Sequence, residues 1–186
     1  MKKYLLILTL LGLTSCGTAQ TIVPIENEKG FQEEDGVTYY YKDVNGALAK
    51  FTGTWKYETS TETFQITFYL IADKNRGSYS EDRLESKFKY IKNGVEIYNT
   101  YQEINSLTFF GGFFSEPNDT NKIKMSYHEP GVAYKSRYKR LKLEYVPVTS
   151  IGQMPTIIWQ RDVWQGSPTP PPYQIPKNMT LVKQPL

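Results

Sequence analysis

From Thr52 onward, apolar and polar residues alternate along the chain with a period of two. The runs Phe64 to Phe68 and Phe88 to Tyr90 each place their apolar residues on one face. Successive side chains of a β-strand point to opposite faces, so this period indicates half-buried strands and argues against amphipathic helices. The alternation therefore predicts a β-rich domain for most of the chain.

Turn signals separate the alternating runs. Asn93-Gly94 is the strongest of them, because both central residues of a type I′ hairpin turn need a positive φ. Pro130-Gly131 marks another turn. Short strands at regular spacing, in a chain with 15 tyrosines, favour an all-β fold, an antiparallel meander of about eight to ten strands. The meander closes into a barrel or forms a β-sandwich; the barrel is preferred because closure hides the strand edges.

Two segments interrupt the alternation. Asp43 to Phe51 predicts one short helix before the first strand, with Asp43 as N-cap and Gly53 as its stop. The apolar run Leu107 to Phe114 contains Gly111-Gly112. It is interpreted as a buried strand with a sharp bend, with an aromatic lip over a cavity or a contact patch as the functional alternative.

The N-terminus has the pattern of a lipoprotein signal. Lys2 and Lys3 precede the apolar run Tyr4 to Leu13, which is too short for a permanent membrane span. Leu13-Thr14-Ser15-Cys16 is a lipobox, a leucine and two small residues before a cysteine. We predict that residues 1–15 are a signal peptide and that Cys16 carries fatty acyl chains such as palmitate.

Residues 16–36 are polar and show no sustained period. They are predicted to be a lipidated N-terminus and flexible tether with a reach of about 25 Å, followed by a single β-rich domain at residues 37–186. Gly17 stands where an aspartate would retain a lipoprotein in the inner membrane, so the outer membrane is expected. No acidic run follows Cys16, and the periplasmic face is preferred over the cell surface.

Charge and reactive residues exclude several function classes. The formal net charge is +3, and most of it leaves with Lys2 and Lys3, so no nucleic-acid partner is expected. Cys16 is the only cysteine and His128 the only histidine. Lipidation would consume the thiol, and one histidine cannot build a histidine cluster. No Gly-x-Ser-x-Gly motif is present. We therefore expect no enzyme activity, no catalytic residue, no cofactor and no metal site.

Charged clusters are interpreted as solvated surface. The carboxylates Asp73, Glu81, Asp82 and Glu85 gather around one turn and do not match a calcium-loop pattern. A solvated loop is the favoured interpretation for them.

A basic patch is the other charged cluster. It would bind phosphate, a lipid headgroup or a polyanion, although lysines that merely guard a sheet surface are the favoured interpretation. Its members are Lys122, Lys124, Lys135, Arg137 and Lys139.

Two sets of residues carry a family resemblance. Gly53-Thr54-Trp55-Lys56-Tyr57 resembles the opening of lipocalin-like barrels, in which the tryptophan packs across the closed end. Together with Lys92-Asn93-Gly94-Val95-Glu96, it resembles a family of small bacterial lipoproteins known only as a domain of unknown function. This resemblance covers most of the chain after Cys16. It implies an envelope lipoprotein with a β-rich domain and implies no activity.

The favoured functional hypothesis is a lipid-anchored, non-catalytic binding or interaction module. Its partners would be the membrane, through the anchor, and a small apolar ligand or an envelope protein. A structural envelope component acting through protein contacts at Leu107 to Phe114 is the alternative, and a hydrolase is least favoured. The residues expected to line the barrel interior or a ligand are Trp55, Tyr57, Phe64, Ile66, Phe68, Phe88 and Tyr90.

Overall fold

The computed structural model describes residues 20–102, 109–116, 118–130, 139–162 and 173–185. Within them the chain is all-β and has no helix of seven or more residues. Three short 3-10 helices lie at Ile25–Asn27, Ala49–Phe51 and Thr100–Gln102. Eleven strands form one sheet. Their bounds are β1 Thr21–Pro24, β2 Tyr39–Lys42, β3 Gly53–Glu58, β4 Glu62–Asn75, β5 Tyr79–Lys92, β6 Val95–Asn99, β7 Phe109–Phe114, β8 Lys122–Tyr127, β9 Lys139–Val146, β10 Thr156–Arg161 and β11 Asn178–Lys183.

Eight of these strands close into an antiparallel barrel. Going around the ring, the order is β5, β4, β3, β11, β10, β9, β8 and β7, and β7 then pairs back to β5. The closing pairs are Leu84 with Gly111 and Glu85 with Phe110. A closed ring leaves no unpaired edge among its strands. The predicted all-β class is confirmed, and of the two architectures the lipocalin-like barrel is the one observed.

Strand β5 organises the remaining strands. One edge pairs with β4 along nearly its whole length. The other edge is shared by three partners: β2 at Tyr79–Glu81, β7 at Leu84–Glu85 and β6 at Lys89–Lys92. Strand β1 pairs in parallel with β2, and β2 pairs in parallel with β5. These two parallel strands are additions to the predicted antiparallel meander.

The predicted flexible tether at residues 16–36 is corrected by the structure over its described part, residues 20–36, which we call the N-terminal strap. The strap contains β1, and the side chains of Val23 and Ile25 are buried in the core. The ring of Phe31 packs edge-on against Tyr39 at 5.3 Å between centroids. A four-residue strand is too short to show a period, so the sequence pattern missed it. Residues 1–19, including the predicted signal peptide and Cys16, lie outside the described residues.

Local predictions around the barrel agree in kind with the structure. Asn93 and Gly94 have φ values of 50° and 76°, as the predicted hairpin turn between β5 and β6 requires. The short helix is the 3-10 turn Ala49–Phe51. The carboxylate of Asp43 accepts the backbone N–H of Leu48 at 3.1 Å, so it caps this region.

The Gly111-Gly112 pair lies in strand β7, which is bent by a register shift between Gly111 and Phe113. Gly112 has a φ of 132°, and a Cβ atom there would lie 2.9 Å from the Leu48 Cδ2 atom. Glycine is therefore needed both for the backbone and for the close approach of Leu48. The interpretation of this run as a bent, buried strand agrees with the structure.

The two ends of the barrel differ in how they are filled. We call the end at which β1, β3 and β5 begin the strap end. Here Phe51 is fully buried, and the Trp55 Nε1–H donates to the Phe51 carbonyl oxygen at 2.8 Å. The Lys183 ammonium lies 5.1 Å from the Trp55 ring centroid. The tryptophan is thus packed and hydrogen-bonded at the strap end of the barrel.

At the opposite end, which we call the far end, a buried carboxylate ties elements together. Glu129 is 1% exposed and accepts the Tyr127 hydroxyl. It also accepts the backbone N–H groups of Gln174 and Ile175. Burial and the charge of Glu129 raise the pKa of Tyr127 well above its usual range. The far end is therefore held by hydrogen bonds to a buried charge.

Candidate functional site

The predicted interior residues lie in a filled core. Six of the seven are buried, and Tyr57 is partly buried and packs against the same cluster. The buried six are Trp55, Phe64, Ile66, Phe68, Phe88 and Tyr90.

Their rings contact one another and rings from the other half of the barrel. Phe64 lies 5.3 Å from Trp159 between centroids, and Phe109 lies 5.1 Å from Trp159. Phe109 also stacks on Tyr127 at 4.7 Å. Such distances are those of packed aromatic pairs. The interior residues are therefore brought together as core side chains.

A pocket of about 470 Å³ lies instead on the outside of the barrel. Lys124 and Ser126 alternate along β8 with the buried Met125, so they point away from the core. The strap forms the opposite wall through Glu28 and Lys29. We call this site the outer pocket. It is lined by Glu28, Lys29, Phe113, Phe114, Ser115, Lys124, Met125, Ser126 and Arg140.

The register of the sheet sets the floor of the outer pocket. Phe113 pairs with Lys124 across β7 and β8, and Ser126 pairs with Arg140 across β8 and β9. Lys124 and Arg140 are therefore diagonal neighbours on one face, about 7–8 Å apart at their backbones. Side chains as long as these two can reach a common point above the floor.

Two cations on this outer face, Lys122 and Lys142, have carboxylate partners. Lys122 lies 2.9 Å from Asp119 and 3.8 Å from Glu144, and Lys142 lies 3.1 Å from Asp162.

Lys124 and Arg140 form no ion pair within the described part of the chain. These two are also the strand cations that line the outer pocket. The cations without a carboxylate partner are thus the ones turned toward the pocket.

Lys29 fastens the strap over the pocket. Its ammonium donates to the Ser115 carbonyl oxygen and lies 3.5 Å from the Glu116 carboxylate. Both partners belong to the segment that follows β7. This contact spans 86 positions in sequence, so no local pattern could have indicated it.

Glu28 places a titratable group at the pocket wall. Burial, together with the charges of Glu81 and Glu33, raises its pKa to about 7, and Arg76 opposes this shift. Its charge also acts on Tyr41 and Tyr79, whose pKa values are raised first by burial. The charge of the pocket wall therefore changes near neutral pH.

The carboxylates interpreted as a solvated loop are mostly buried. Glu81, Asp82 and Glu85 are 1%, 4% and 9% exposed. Strand β2 pairs with β5 at Tyr79–Glu81, and the Arg83 guanidinium pairs with the Glu85 carboxylate. Asp82 accepts hydrogen bonds from the Tyr40 hydroxyl, the Asp43 N–H and the Asp73 N–H. Burial raises the pKa of Glu81, and Arg76 and Arg83 oppose that shift. This cluster joins β2, β4 and β5 and serves the fold.

The other residues considered for catalysis, metal binding or lipidation lie elsewhere in the chain. His128 is half-buried beside Glu129. Among the described residues, no group of three or more histidine, cysteine, aspartate or glutamate side chains is arranged to hold a metal ion. Lys135, Arg137 and Cys16 lie outside the described residues, as does the side chain of Lys139. Within the described chain, no helix has the length and apolar character needed to cross a membrane.

Sequence reasoning found only one of the pocket's charged residues. Lys124 belonged to the predicted basic patch, whereas Glu28 and Lys29 lay in the predicted tether. Arg140 was left out of the patch because the alternation of apolar and polar residues changes phase near Lys139-Arg140. The signal that points to Arg140 is its place on β9, next to the buried Leu141.

Comparison with known proteins matches the chain to a family model. A family model described as "Family of unknown function (DUF6705)" matches residues 1–184. No curated protein and no solved structure matches the chain.

Proposed function

We propose that this chain, which belongs to the DUF6705 family of unknown function, is a lipid-anchored envelope protein whose barrel is a non-catalytic binding module. A fatty-acylated Cys16 holds the barrel at the outer membrane, on the periplasmic face. The module takes a small ligand in the outer pocket, between the strap and strands β7 to β9.

The contrast between a filled interior and an open outer pocket carries this proposal. Fully buried rings such as Phe64, Phe109 and Trp159 occupy the space in which a barrel of this size would hold a ligand. The outer pocket, at about 470 Å³, has the size of sites that bind small molecules. Its lining combines the apolar residues Phe113, Phe114 and Met125 with six polar or charged residues, which suits a ligand that itself carries charge.

The structure favours this role over the structural alternative. The aromatic run at Leu107 to Phe114 was the expected contact patch for an envelope protein. Phe109 and Phe114 are buried, Phe110 lies 5.3 Å from the Arg83 guanidinium, and Phe113 lines the outer pocket. The described part of the run therefore offers little free aromatic surface for a protein partner.

Native mass spectrometry of the full-length protein, extracted in a mild neutral detergent, tests the binding role. We expect a bound small molecule in addition to the lipidated polypeptide. Ser126→Trp should abolish this extra mass, because the indole fills the pocket from its floor. Thr63→Trp, an outward position on β4, is the matched control and should retain it. A wild-type spectrum without the extra mass would contradict the proposal. An extra mass that Ser126→Trp retains would contradict it as well.

The anchor has its own test. Cells grown with a radiolabelled fatty acid should label the wild-type protein, and Cys16→Ala should carry no label. Label that persists in Cys16→Ala would show that the fatty acid is not attached to Cys16, and it would contradict the proposed anchor.

A further inference from the structure

We propose that the ligand of the outer pocket is a small amphiphilic anion, whose phosphate or carboxylate group lies between Lys124 and Arg140 and whose apolar part lies on Phe113. This inference rests on the proposed binding function and names the chemical class that the pocket selects. A lipid headgroup and a soluble phosphate or carboxylate ester share this chemistry.

The cations on the outer faces of β8 and β9 differ in whether a carboxylate partner lies near them in the described chain. Of the cations placed on the outer faces of β8 and β9, Lys122 and Lys142 have carboxylate partners at 2.9 Å and 3.1 Å. Lys124 and Arg140 have no such partner within the described residues. The Glu28 carboxylate also lines the pocket, on the strap, and it forms no ion pair with either of these two described cations. Lys124 and Arg140 can therefore pair with an anion from solution.

Geometry makes these two cations a pair. Their diagonal positions on adjacent strands let an ammonium and a guanidinium converge on one anion. A guanidinium presents a planar fork that fits two oxygens of a phosphate or carboxylate, and an ammonium adds a point charge. Ser126, which is directly opposite Arg140, adds a hydroxyl that can donate to the same group.

Edge protection does not explain these cations. Lysines on an outer strand often guard a sheet edge against pairing with other chains. Strands β8 and β9 each have two partners within the closed barrel, so neither has an edge to guard. Closure of the barrel therefore removes edge protection as the reason for these two cations.

An apolar part of the ligand follows from the rest of the floor. Phe113 is directly opposite Lys124 in the register and is half-buried. A headgroup on the two cations would place the adjoining part of the ligand over this ring. Removing its apolar surface from water adds affinity that an inorganic anion cannot obtain.

The test uses the full-length protein in nanodiscs of neutral phosphatidylcholine, with hexyl phosphate as probe. Binding is measured by saturation-transfer NMR titration. Hexyl phosphate should bind more tightly than both inorganic phosphate and hexanol, each of which lacks one half of the recognition. The double variant Lys124→Gln/Arg140→Gln should weaken hexyl phosphate binding at least about tenfold, the loss expected for charge-assisted hydrogen bonds.

A matched control separates the pocket from net charge. Lys122→Gln/Lys142→Gln removes the same charge from the same two strands but leaves the pocket lining intact. It should bind hexyl phosphate as the wild type does. Equal weakening in the two double variants, or hexanol binding as tight as that of hexyl phosphate, would overturn the anion assignment.

Two further measurements identify the source of the anion and separate a failure of this inference from a failure of the binding function. If the natural ligand is a membrane lipid, adding phosphatidylglycerol to the nanodiscs should compete with hexyl phosphate. If it is a soluble ester, binding should not change; both results keep the anion class. A neutral molecule in the native mass spectrum would overturn this inference alone. The absence of any bound molecule would overturn the binding function itself.

Discussion

The inside of the barrel and the outer pocket are formed by opposite faces of the same strands, one apolar and one charged. Phe109, Met125 and Leu141 face inward from β7, β8 and β9 and are at most 1% exposed. On the other side of these strands, Lys124 and Arg140 face outward and are charged. The inward face is specified by packing and the outward face by electrostatics. A substitution should therefore change stability on one face and ligand binding on the other.

The largest expected change in the free energy of unfolding is a difference between two phenylalanines of strand β7. Phe109→Ala removes a ring that contacts Phe88, Tyr127 and Trp159 and should lower the free energy of unfolding by about 3–5 kcal/mol. Phe113→Ala, on the outer face, should cost about 1 kcal/mol or less. Urea unfolding followed by tryptophan fluorescence measures both. Similar losses in the two variants would show that the two faces are not distinct.

A buried charge gives the next largest effect. Glu129→Gln keeps the shape of the side chain but weakens the acceptor for Tyr127 and for two backbone N–H groups. We expect a loss of about 2–4 kcal/mol in the free energy of unfolding. Glu116→Gln, at an exposed position beside Lys29, is the control and should leave the urea midpoint unchanged. A stable Glu129→Gln protein would show that the far end does not need the charge.

Glu28 gives a smaller, pH-dependent effect. Its pKa is raised from 4.5 to about 7 in the fold, so between these values the folded state binds more protons than the unfolded state. Stability associated with Glu28 is therefore complete below pH 4.5 and is lost as the pH rises through about 7. Because the side chain is partly solvated, we expect a loss of about 1–2 kcal/mol.

Glu28→Gln should remove this dependence. The variant should be more stable than the wild type at pH 8 and equal to it at pH 4. The comparison isolates Glu28 from Glu33, Glu81 and Arg76, which face it and remain in both proteins. Parallel stability curves across this pH range would contradict the assignment.

The smallest change in stability is expected for the two pocket cations. Lys124→Gln/Arg140→Gln should change the free energy of unfolding by no more than about 0.5 kcal/mol, because neither cation has a carboxylate partner in the described chain. The same variant should weaken anion binding at least about tenfold. A large loss of stability would mean that these cations hold the fold instead of a ligand.

The fold was largely predictable because alternation is a local signal. The inward residues Phe64, Ile66 and Phe88 follow directly from a period of two, and Asn93-Gly94 specifies its hairpin by backbone conformation alone. Closure of the barrel followed from the need to hide strand edges. The family resemblance added the lipocalin-like form.

The strap and the outer pocket were not predictable because they depend on distant contacts. Strand β1 is held by parallel pairing with β2, which leaves no mark on a four-residue sequence. Lys29 meets Ser115 across 86 positions. The carboxylates of Glu81 and Asp82 look solvated in sequence, but in the fold both are buried next to β2. Burial by segments that are distant in sequence cannot be predicted from a short-range sequence pattern.

The strap also changes the distance at which a lipid on Cys16 would hold the barrel. A free tether over residues 16–36 would let the domain drift about 25 Å from the bilayer. Gln20 already contacts Ser80 at the strap end, at 3.3 Å between Nε2 and Oγ, so only four residue steps remain. Fully extended, they span about 14 Å. If Cys16 carries the proposed acyl chains, this short connection would restrict the tumbling of the barrel, turn the strap end toward the lipid and leave the far end facing the aqueous compartment.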